Sequence, residues 1–272
     1  MTQHTAPYSL EQIGYGMVRF NSSGIFSTHK DHMVDPYAAT RIPKEAQVEG
    51  IQYSPQAKGP FSAMVLLHDK WGLTSTIQDL AKRLACEGYV VLVPNLYGRQ
   101  GGMVTANEEV ADALCERLNE AQALQDINAC FEFLNANLAE DTTLELITRN
   151  AHALIGFGMG GTLAIQTAAH RRRLQAAIAV SPALPQDSDL INKLHCPLML
   201  HIPELTNALT PAQLQEFTKT CAQAGKNVTV QHYPDTADGF YNALSPAFRS
   251  SESDNVLQSS MEFINNILQK AK

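Results

Sequence analysis

From residue 61 onwards, short runs of consecutive apolar residues alternate with longer segments in which apolar residues recur every three or four positions. A continuous apolar run is typical of a strand buried on both faces, and the longer spacing is typical of an amphipathic helix. The sequence therefore predicts an alternation of strands and helices. The predicted strands are Ala63–His68, Tyr89–Val93, Ala151–Ile155, Ala176–Ser181, Pro197–Ile202 and Val228–Tyr233.

Capping signals mark where two of the predicted helices begin and end. Ser75-Thr76-Ile77-Gln78 and Thr210-Pro211-Ala212-Gln213 both have the capping-box pattern, in which a hydroxyl and an amide satisfy the first free N–H groups. Gly88 and Gly225 follow the last apolar positions of these two helices, where glycine commonly ends a helix. The other helical predictions are a long helical region at about 107–138, a helix ending near 170 and a helix at about 253–269.

Strand and helix alternate about six times, and hairpin signals are missing from this stretch of sequence. Parallel strands need crossover connections, which are usually helices, so we predict a doubly wound, mostly parallel sheet with helices on both faces. Residues 61–272 form one α/β domain in this prediction. Residues 1–60 are rich in Gly, Pro, Ser and Tyr, and are predicted to be an N-terminal arm that packs on or flanks the core, with short strands near Gly16–Phe20 and Gln47–Tyr53.

Composition excludes several classes of protein. Of 272 residues, 44% are hydrophobic and 17% charged, which is globular rather than disordered composition. The net charge of −7 argues against nucleic-acid binding, and the basic run Arg171–Arg173 is interpreted as a helix end. There is no apolar run of about 18 residues and no signal-peptide pattern. The five cysteines never form a C-x-x-C pair, so we expect a reduced, cytoplasmic protein with no membrane partner.

The N-terminal region contains a possible metal site. His29, Asp31 and His32 lie close together in sequence, with Asp35 nearby. A structural zinc site needs four ligands, so solvated loop histidines are the favoured interpretation. No metal and no cofactor are therefore predicted.

The glycine-rich turn after the third predicted strand has two interpretations. Gly156, Gly158 and Gly161 match the G-x-G-x-x-G pattern of dinucleotide-binding turns. That pattern normally pairs with an acidic residue about 20 positions further on, and here the next acid is Asp187, beyond the end of the next strand. Nucleotide binding through these glycines is kept as an alternative.

The second interpretation is a nucleophile elbow, G-x-Nuc-x-G. Gly156-Phe157-Gly158-Met159-Gly160 fits this frame, with glycine where a serine or cysteine would stand. Such a glycine preserves the turn and removes the nucleophile.

Several segments, in the right order, resemble the dienelactone hydrolase family of α/β-hydrolases over about residues 61–270. The most specific of them runs from Leu80 to Arg99, and the glycine turn resembles the family's elbow. The other matching segments are Leu66–Leu73, Pro197–His201 and Tyr233–Asn242. The resemblance implies the α/β-hydrolase fold.

The family uses a Cys–His–Asp triad, and all three positions differ here. The resemblance places Gly158 at the nucleophile, Asp238 at the histidine and Thr206 at the aspartate, whereas Asp69 keeps the family's acid after the first core strand in kind. Removing a nucleophile or base costs on the order of 10⁶ in turnover. We therefore expect a catalytically silent member that binds a small ligand or a protein partner.

Other polar residues offer little replacement chemistry. His68 and His201 end predicted strands and are interpreted as hydrogen-bonded to backbone, and no histidine is obviously placed to activate Ser181. Asp69 and Asp238 in one apolar cleft would raise one carboxyl pKa and could activate water. The competing interpretation is that Asp238 caps a turn or pairs with Lys70 or Arg99. The expected ligand-pocket residues are Asp69, Trp71, Tyr97, Phe157, Met159, Asp238 and Phe240.

Overall fold

The computed structural model describes residues 6–22, 46–59, 61–140 and 152–270. These residues form eight strands and seven α-helices. The strands are β1 (Ile13–Asn21), β2 (Gln47–Pro55), β3 (Ser62–Leu67), β4 (Tyr89–Pro94), β5 (His152–Phe157), β6 (Ala176–Val180), β7 (Leu198–Leu205) and β8 (Val228–Ala237). The helices are α1 (Ser75–Cys86), α2 (Glu108–Glu116), α3 (Glu120–Glu140), α4 (Met159–His170), α5 (Ser188–Asn192), α6 (Pro211–Gln223) and α7 (Ser250–Lys270).

The eight strands form one sheet in the order β1-β2-β4-β3-β5-β6-β7-β8. All pairs from β4 to β8 are parallel, whereas β1 pairs antiparallel with β2 and β2 pairs antiparallel with β4. The predicted doubly wound, mostly parallel sheet is confirmed. The two antiparallel strands come from the region predicted as an arm, and they extend the same sheet instead of forming a separate layer.

Each face of the sheet is covered by helices, and the central strands β3 to β6 are buried along their whole length. One face packs against α3, α4, α5 and α6, and the other packs against α1 and α7. Alternate residues of β5 divide between the two faces, with Leu154 on the first and Ile155 on the second. This burial on both faces explains the unbroken apolar runs in the sequence.

Two helix predictions needed correction. The N-cap of α1 is Thr74 and not Ser75, and the Thr74 hydroxyl accepts from the Ile77 N–H. The predicted long helical region over 107–138 is two helices, because Asn119 caps α3 by accepting from the Gln122 N–H. The capping box at Thr210 is confirmed.

The carboxyl ends of β3, β5, β6 and β7 meet at one edge of the sheet, and the loops that follow them carry the residues of interest. This is where ligands bind in parallel α/β sheets. The cluster of His29, Asp31, His32 and Asp35 lies outside the described residues. Among the residues that the structure does describe, no group of three or more His, Cys, Asp or Glu side chains is arranged to hold a metal ion.

Candidate active-site cleft

The turn between β5 and α4 has the backbone geometry of a nucleophile elbow. Gly158 adopts φ 52° and ψ −118° and stands immediately before the first residue of α4. A Cβ at Gly156 would lie 2.1 Å from the Gly160 carbonyl oxygen, and one at Gly160 would lie 2.5 Å from the His68 carbonyl oxygen. Packing within the turn therefore explains both flanking glycines without a bound nucleotide.

Gly158 differs from its two neighbours because its missing side chain has room. A Cβ there would lie 3.4 Å from both Asp69 Cβ and Tyr241 Oη, which is an ordinary contact distance. Its positive φ is a conformation that most side chains adopt only under strain, which nucleophile elbows impose on their nucleophile. The frame of the elbow is complete, and the nucleophile is what it lacks.

The positions that resemble the family's base and acid lie next to each other. Asp238 accepts hydrogen bonds from the Thr206 hydroxyl and from the Asn207 backbone N–H, each at 3.0 Å. A carboxylate held by a hydroxyl thus stands where an imidazole would be held by a carboxylate. Thr206 and Asp238 are therefore within hydrogen-bond distance of each other, at the positions where the resemblance places the family's acid and base.

The Asp238 carboxylate therefore bonds to the loop that follows β7, and the cations considered as its partners are engaged elsewhere. The Lys70 ammonium lies 2.7 Å from Asp112 and 3.0 Å from Glu108. Arg99 pairs with Asp126. Pairing of Asp238 with Lys70 or Arg99 does not fit the structure, and the Asp238 carboxylate bonds instead to a separate loop, at Thr206 and Asn207.

Two buried histidines that end core strands, His68 and His201, have hydrogen-bond partners outside the elbow. His68 bonds to the Asp69 carbonyl at 2.7 Å through Nδ1 and accepts from the Leu96 N–H through Nε2, as the backbone interpretation predicted. For His201 that interpretation was wrong, because its ring bonds to Tyr233 Oη and Ser260 Oγ. Burial lowers the pKa of His68 to about 4 and that of His201 to about 3, so both rings are neutral.

Asp69 is a buried carboxyl beside the elbow. It is 3% exposed, and its two oxygens accept from the Trp71 backbone N–H at 3.1 Å and from the Tyr241 hydroxyl at 3.2 Å. Burial raises the pKa of Asp69 from 3.8 to about 6. The cause is desolvation, and not the repulsion by Asp238 that the carboxylate-pair hypothesis assumed. Burial also raises the pKa of Tyr241 well above its ordinary value, so Tyr241 remains a donor.

These residues line a cleft of about 960 Å³, which we call the elbow cleft. Four of the expected pocket residues line it: Asp69, Trp71, Met159 and Asp238. The other three, Tyr97, Phe157 and Phe240, are fully buried instead. They support the cleft from below, since the Phe157 and Phe240 rings lie 4.8 and 5.7 Å from the Tyr241 ring and the Tyr97 hydroxyl donates to the Lys70 carbonyl oxygen at 3.1 Å.

Two further residues, Tyr241 and Ser181, line the elbow cleft but were not among the expected pocket residues. Tyr241 follows the Gly239-Phe240 pair of the segment that resembles the family's histidine loop, so its position was a usable signal. Ser181 carries a φ of 49°, which is rare for a residue other than glycine, asparagine or aspartate. Periodicity gives no indication of such a backbone conformation.

The Asp69 carboxyl makes the stability of the fold depend on pH. Its pKa is higher in the folded state than the ordinary value of 3.8, so folding is not penalised below that value, is penalised increasingly up to about pH 6, and carries the full cost above it. The full cost is about 3 kcal/mol. We expect Asp69→Asn to gain up to that amount in free energy of unfolding, relative to the wild type, between about pH 4 and pH 7.

Urea denaturation of both proteins across this pH range measures the effect. Asp79→Asn is the matched control, because Asp79 is an exposed carboxylate on α1 and its replacement should leave the pH profile unchanged. Parallel profiles for the wild type and Asp69→Asn would contradict the prediction.

Within the residues described, no helix is both long enough and apolar enough to span a bilayer.

Known proteins share both the sequence pattern and the geometry. The family model described as "Dienelactone hydrolase family" matches residues 48–268. A Methylorubrum extorquens protein named "Putative carboxymethylenebutenolidase" is 25% identical over 222 residues, which cover 77% of this chain and 74% of that protein. A Bradyrhizobium protein named "Probable 2-oxo-3-(5-oxofuran-2-ylidene)propanoate lactonase" is 24% identical over 206 residues, covering 72% and 79%.

Solved structures support the fold. The crystal structure of a Klebsiella pneumoniae protein described as "Putative Dienelactone Hydrolase" has a TM-score of 0.72 at 18% identity, covering 92% of this chain and 99% of that one. A dienelactone hydrolase-like promiscuous phosphotriesterase from metagenomic libraries has a TM-score of 0.73 at 13% identity, covering 94% and 99%. The fold is that of the α/β-hydrolases, and the family match extends from β2 into α7, so this chain belongs to the dienelactone hydrolase family.

Proposed function

We propose that this protein binds a small molecule in the elbow cleft without the covalent chemistry of a Cys–His–Asp triad. The observation that carries the proposal is the pairing of Gly158 at the elbow with an Asp238–Thr206 hydrogen bond beside it. The nucleophile and the base are both replaced, and each contributes up to about 10⁶ to turnover in a working triad. A small ligand is favoured over a protein partner because the site is concave and has the volume of a ligand pocket.

Retention of the cleft supports binding as the remaining role. Gly156 and Gly160 allow the turn to pack tightly, since a Cβ at either position would overlap backbone atoms. An ordinary connecting loop does not need such packing. Asp69 is kept desolvated at the floor of the cleft, at a cost to folding. Features that are unfavourable for stability and gathered in one cleft are typical of a binding site.

The first test is chemical. We expect no burst of product with an activated ester such as 4-nitrophenyl acetate, and no adduct at the elbow with a serine- or thiol-directed reagent, as located by peptide mass mapping. Cys115 also lines the cleft, so labelling is measured in a Cys115→Ala background. A burst, or an adduct on any residue of the elbow, would contradict the proposal.

Gly158→Cys separates a missing nucleophile from a missing base. In this variant the new thiol should react with iodoacetamide, because a Cβ at this position has room. Ester turnover should stay at the wild-type level, because no imidazole lies beside the elbow among the described residues to activate the thiol. Substantial ester turnover by Gly158→Cys alone would contradict the proposal that the base is missing as well as the nucleophile.

The ligand itself is sought by thermal shift with lactones, esters and nucleotides, since a molecule that binds only the folded state raises Tm. A shift with nucleotides alone would favour the alternative in which Gly156, Gly158 and Gly161 bind a nucleotide.

A second candidate function is hydrolysis of an ester or lactone assisted by a carboxylate. The observation that favours it is Asp69, a buried carboxyl beside Gly158 with a pKa of about 6, which is suited to proton transfer near neutral pH. Relatives are also named as a lactonase and a carboxymethylenebutenolidase. If the wild type hydrolyses any lactone tested, Asp69→Asn and Asp238→Asn should each abolish the activity, with Asp79→Asn as the control. Activity unchanged in both variants would end this hypothesis.

A further inference from the structure

Ser181 is held in an unfavourable backbone conformation at the floor of the elbow cleft. It follows β6 directly, is 7% exposed and lines the cleft together with Gly158 and Met159. Among the described residues, Ser181 and Asp235 are the two non-glycine residues with a positive φ. Asp235 is exposed and does not line the cleft, and aspartate tolerates this conformation better than serine does.

The Ser181 hydroxyl is also left without a partner. Its Oγ is buried and makes no hydrogen bond to any described residue. Most buried hydroxyls in folded proteins are hydrogen-bonded, so each exception needs an explanation. Strain and an unsatisfied hydroxyl at one residue inside a cleft are explained together if a ligand completes the site.

Surrounding hydrogen bonds prevent Ser181 from relaxing. The Gly158 N–H donates to the Val180 carbonyl oxygen at 2.8 Å, and the Ser181 N–H donates to the His201 carbonyl oxygen at 2.9 Å. On the other side, the Thr162 hydroxyl exchanges hydrogen bonds with the Ala183 backbone. These hydrogen bonds therefore hold the end of β6, where Ser181 lies, against the start of α4.

The start of α4 provides further donors beside Ser181. Gly158 caps this 12-residue helix without a side chain, so no side-chain oxygen accepts from the first N–H groups. These N–H groups, like a hydroxyl, bind an oxygen acceptor. A carbonyl oxygen placed at the elbow would serve both the helix and Ser181.

The charged side chains that line the elbow cleft determine whether a charged or an uncharged oxygen acceptor is favoured. Four carboxylates line the elbow cleft: Asp69, Glu108, Glu120 and Asp238. Lys70 is the one lysine or arginine among the described residues of the lining, and Glu108 and Asp112 already hold it. A negatively charged ligand would meet net repulsion, whereas an uncharged carbonyl compound would not.

We propose that Ser181 is a ligand-binding residue, whose hydroxyl donates to the carbonyl oxygen of an uncharged ester, lactone or amide held at the start of α4. This inference rests on the proposed binding function and adds the ligand class and the residue that recognises it. Neither the glycine frame nor the three substituted triad positions require it.

The test compares two probes of the same shape, uncharged phenylacetamide and anionic phenylacetate. Binding is measured by thermal shift and by the fluorescence of Trp71, which is the single tryptophan of the chain and lines the cleft. We expect the wild type to bind phenylacetamide at least about tenfold more tightly than phenylacetate, and Ser181→Ala to weaken amide binding by about tenfold, the effect of one hydrogen bond.

Stability without ligand provides an independent measurement. We expect Ser181→Ala to leave the Tm of the unliganded protein unchanged or raised, because no hydrogen bond is lost, and Ser181→Gly to raise it by also relieving the strain. Asp235→Gly is the matched control, since it removes a positive-φ side chain outside the cleft and should leave both affinities unaltered.

The outcomes separate the two levels of the proposal. Amide binding by Ser181→Ala equal to the wild type, or a lowered Tm of that variant without ligand, would overturn the role of Ser181 and leave the proposed function standing. Equal or tighter binding of phenylacetate would overturn the ligand class. A wild type that binds neither probe would overturn this inference, and the proposed function would fail with it only if the wider ligand screen also found nothing.

Discussion

The triple variant Gly158→Cys, Asp238→His, Thr206→Asp is expected to hydrolyse 4-nitrophenyl acetate at least about a hundredfold faster than the wild type. A complete triad contributes on the order of 10⁶ to turnover, and a transplanted one should recover part of that. The acceleration should appear only when all three residues are present, because nucleophile, base and acid act as a unit.

Geometry supports this expectation at each position. A Cβ at Gly158 would fit at 3.4 Å from its nearest neighbours. The Thr206 hydroxyl already bonds to Asp238 at 3.0 Å, so the replacement aspartate and histidine would start within reach of each other. The elbow also retains the backbone N–H of Met159 for the oxyanion, directly after the nucleophile position.

Steady-state rates and a pre-steady-state burst measure the result, with each single and double variant as controls. A triple variant that folds but is no faster than the wild type would show that the cleft has lost more than its triad. A single variant as fast as the triple one would contradict the idea that three replacements silence the site.

Gly156→Ala is expected to destabilise the protein by at least the upper end of the ~1–3 kcal/mol typical of overpacked cores. The added Cβ would lie 2.1 Å from the Gly160 carbonyl oxygen and 2.8 Å from the Gly161 nitrogen. Both are backbone atoms of the first turn of α4 and cannot move aside as a flexible side chain would. The elbow, the start of α4 and the floor of the cleft should be displaced together.

Chemical denaturation and circular dichroism measure this loss. Gly16→Ala in β1 is the matched control, because a Cβ at Gly16 would meet no atom within 4 Å and the change should be neutral or slightly stabilising. Equal stabilities for Gly156→Ala and the wild type would show that the turn is not as tightly packed as the structure indicates.

The order of strands and helices could be predicted because the central strands contain continuous apolar runs. The run from Ala63 to Leu67 is fully buried on both faces, and such burial leaves an unbroken signal in the sequence. The break at Asn119 was missed, although the apolar spacing lengthens there from four positions to six, between Leu118 and Leu124. It depends on a side chain that caps one helix in preference to continuing another.

For the site, the sequence predicted the residue types but not their partners. The absence of a nucleophile at Gly158 and of an imidazole at Asp238 followed from the letters alone. That Asp238 bonds to Thr206 while Lys70 is held by Glu108 and Asp112 depends on loops distant in sequence. Burial beneath the cleft, which separates Phe157 and Phe240 from the lining residues, likewise depends on packing between elements.

The order of amino acids was enough to predict the class of fold and the glycine frame of the elbow, because side-chain chemistry and local periodicity can be read directly from the sequence. Which carboxyl is desolvated became clear from the folded chain, since the pKa of Asp69 is raised by burial and not by the charge of Asp238. The same holds for the strained backbone and unpartnered hydroxyl of Ser181, which arise because the end of β6 is fastened to the start of α4. Desolvation and strain are properties of surroundings assembled from distant segments, and no single stretch of sequence carries them.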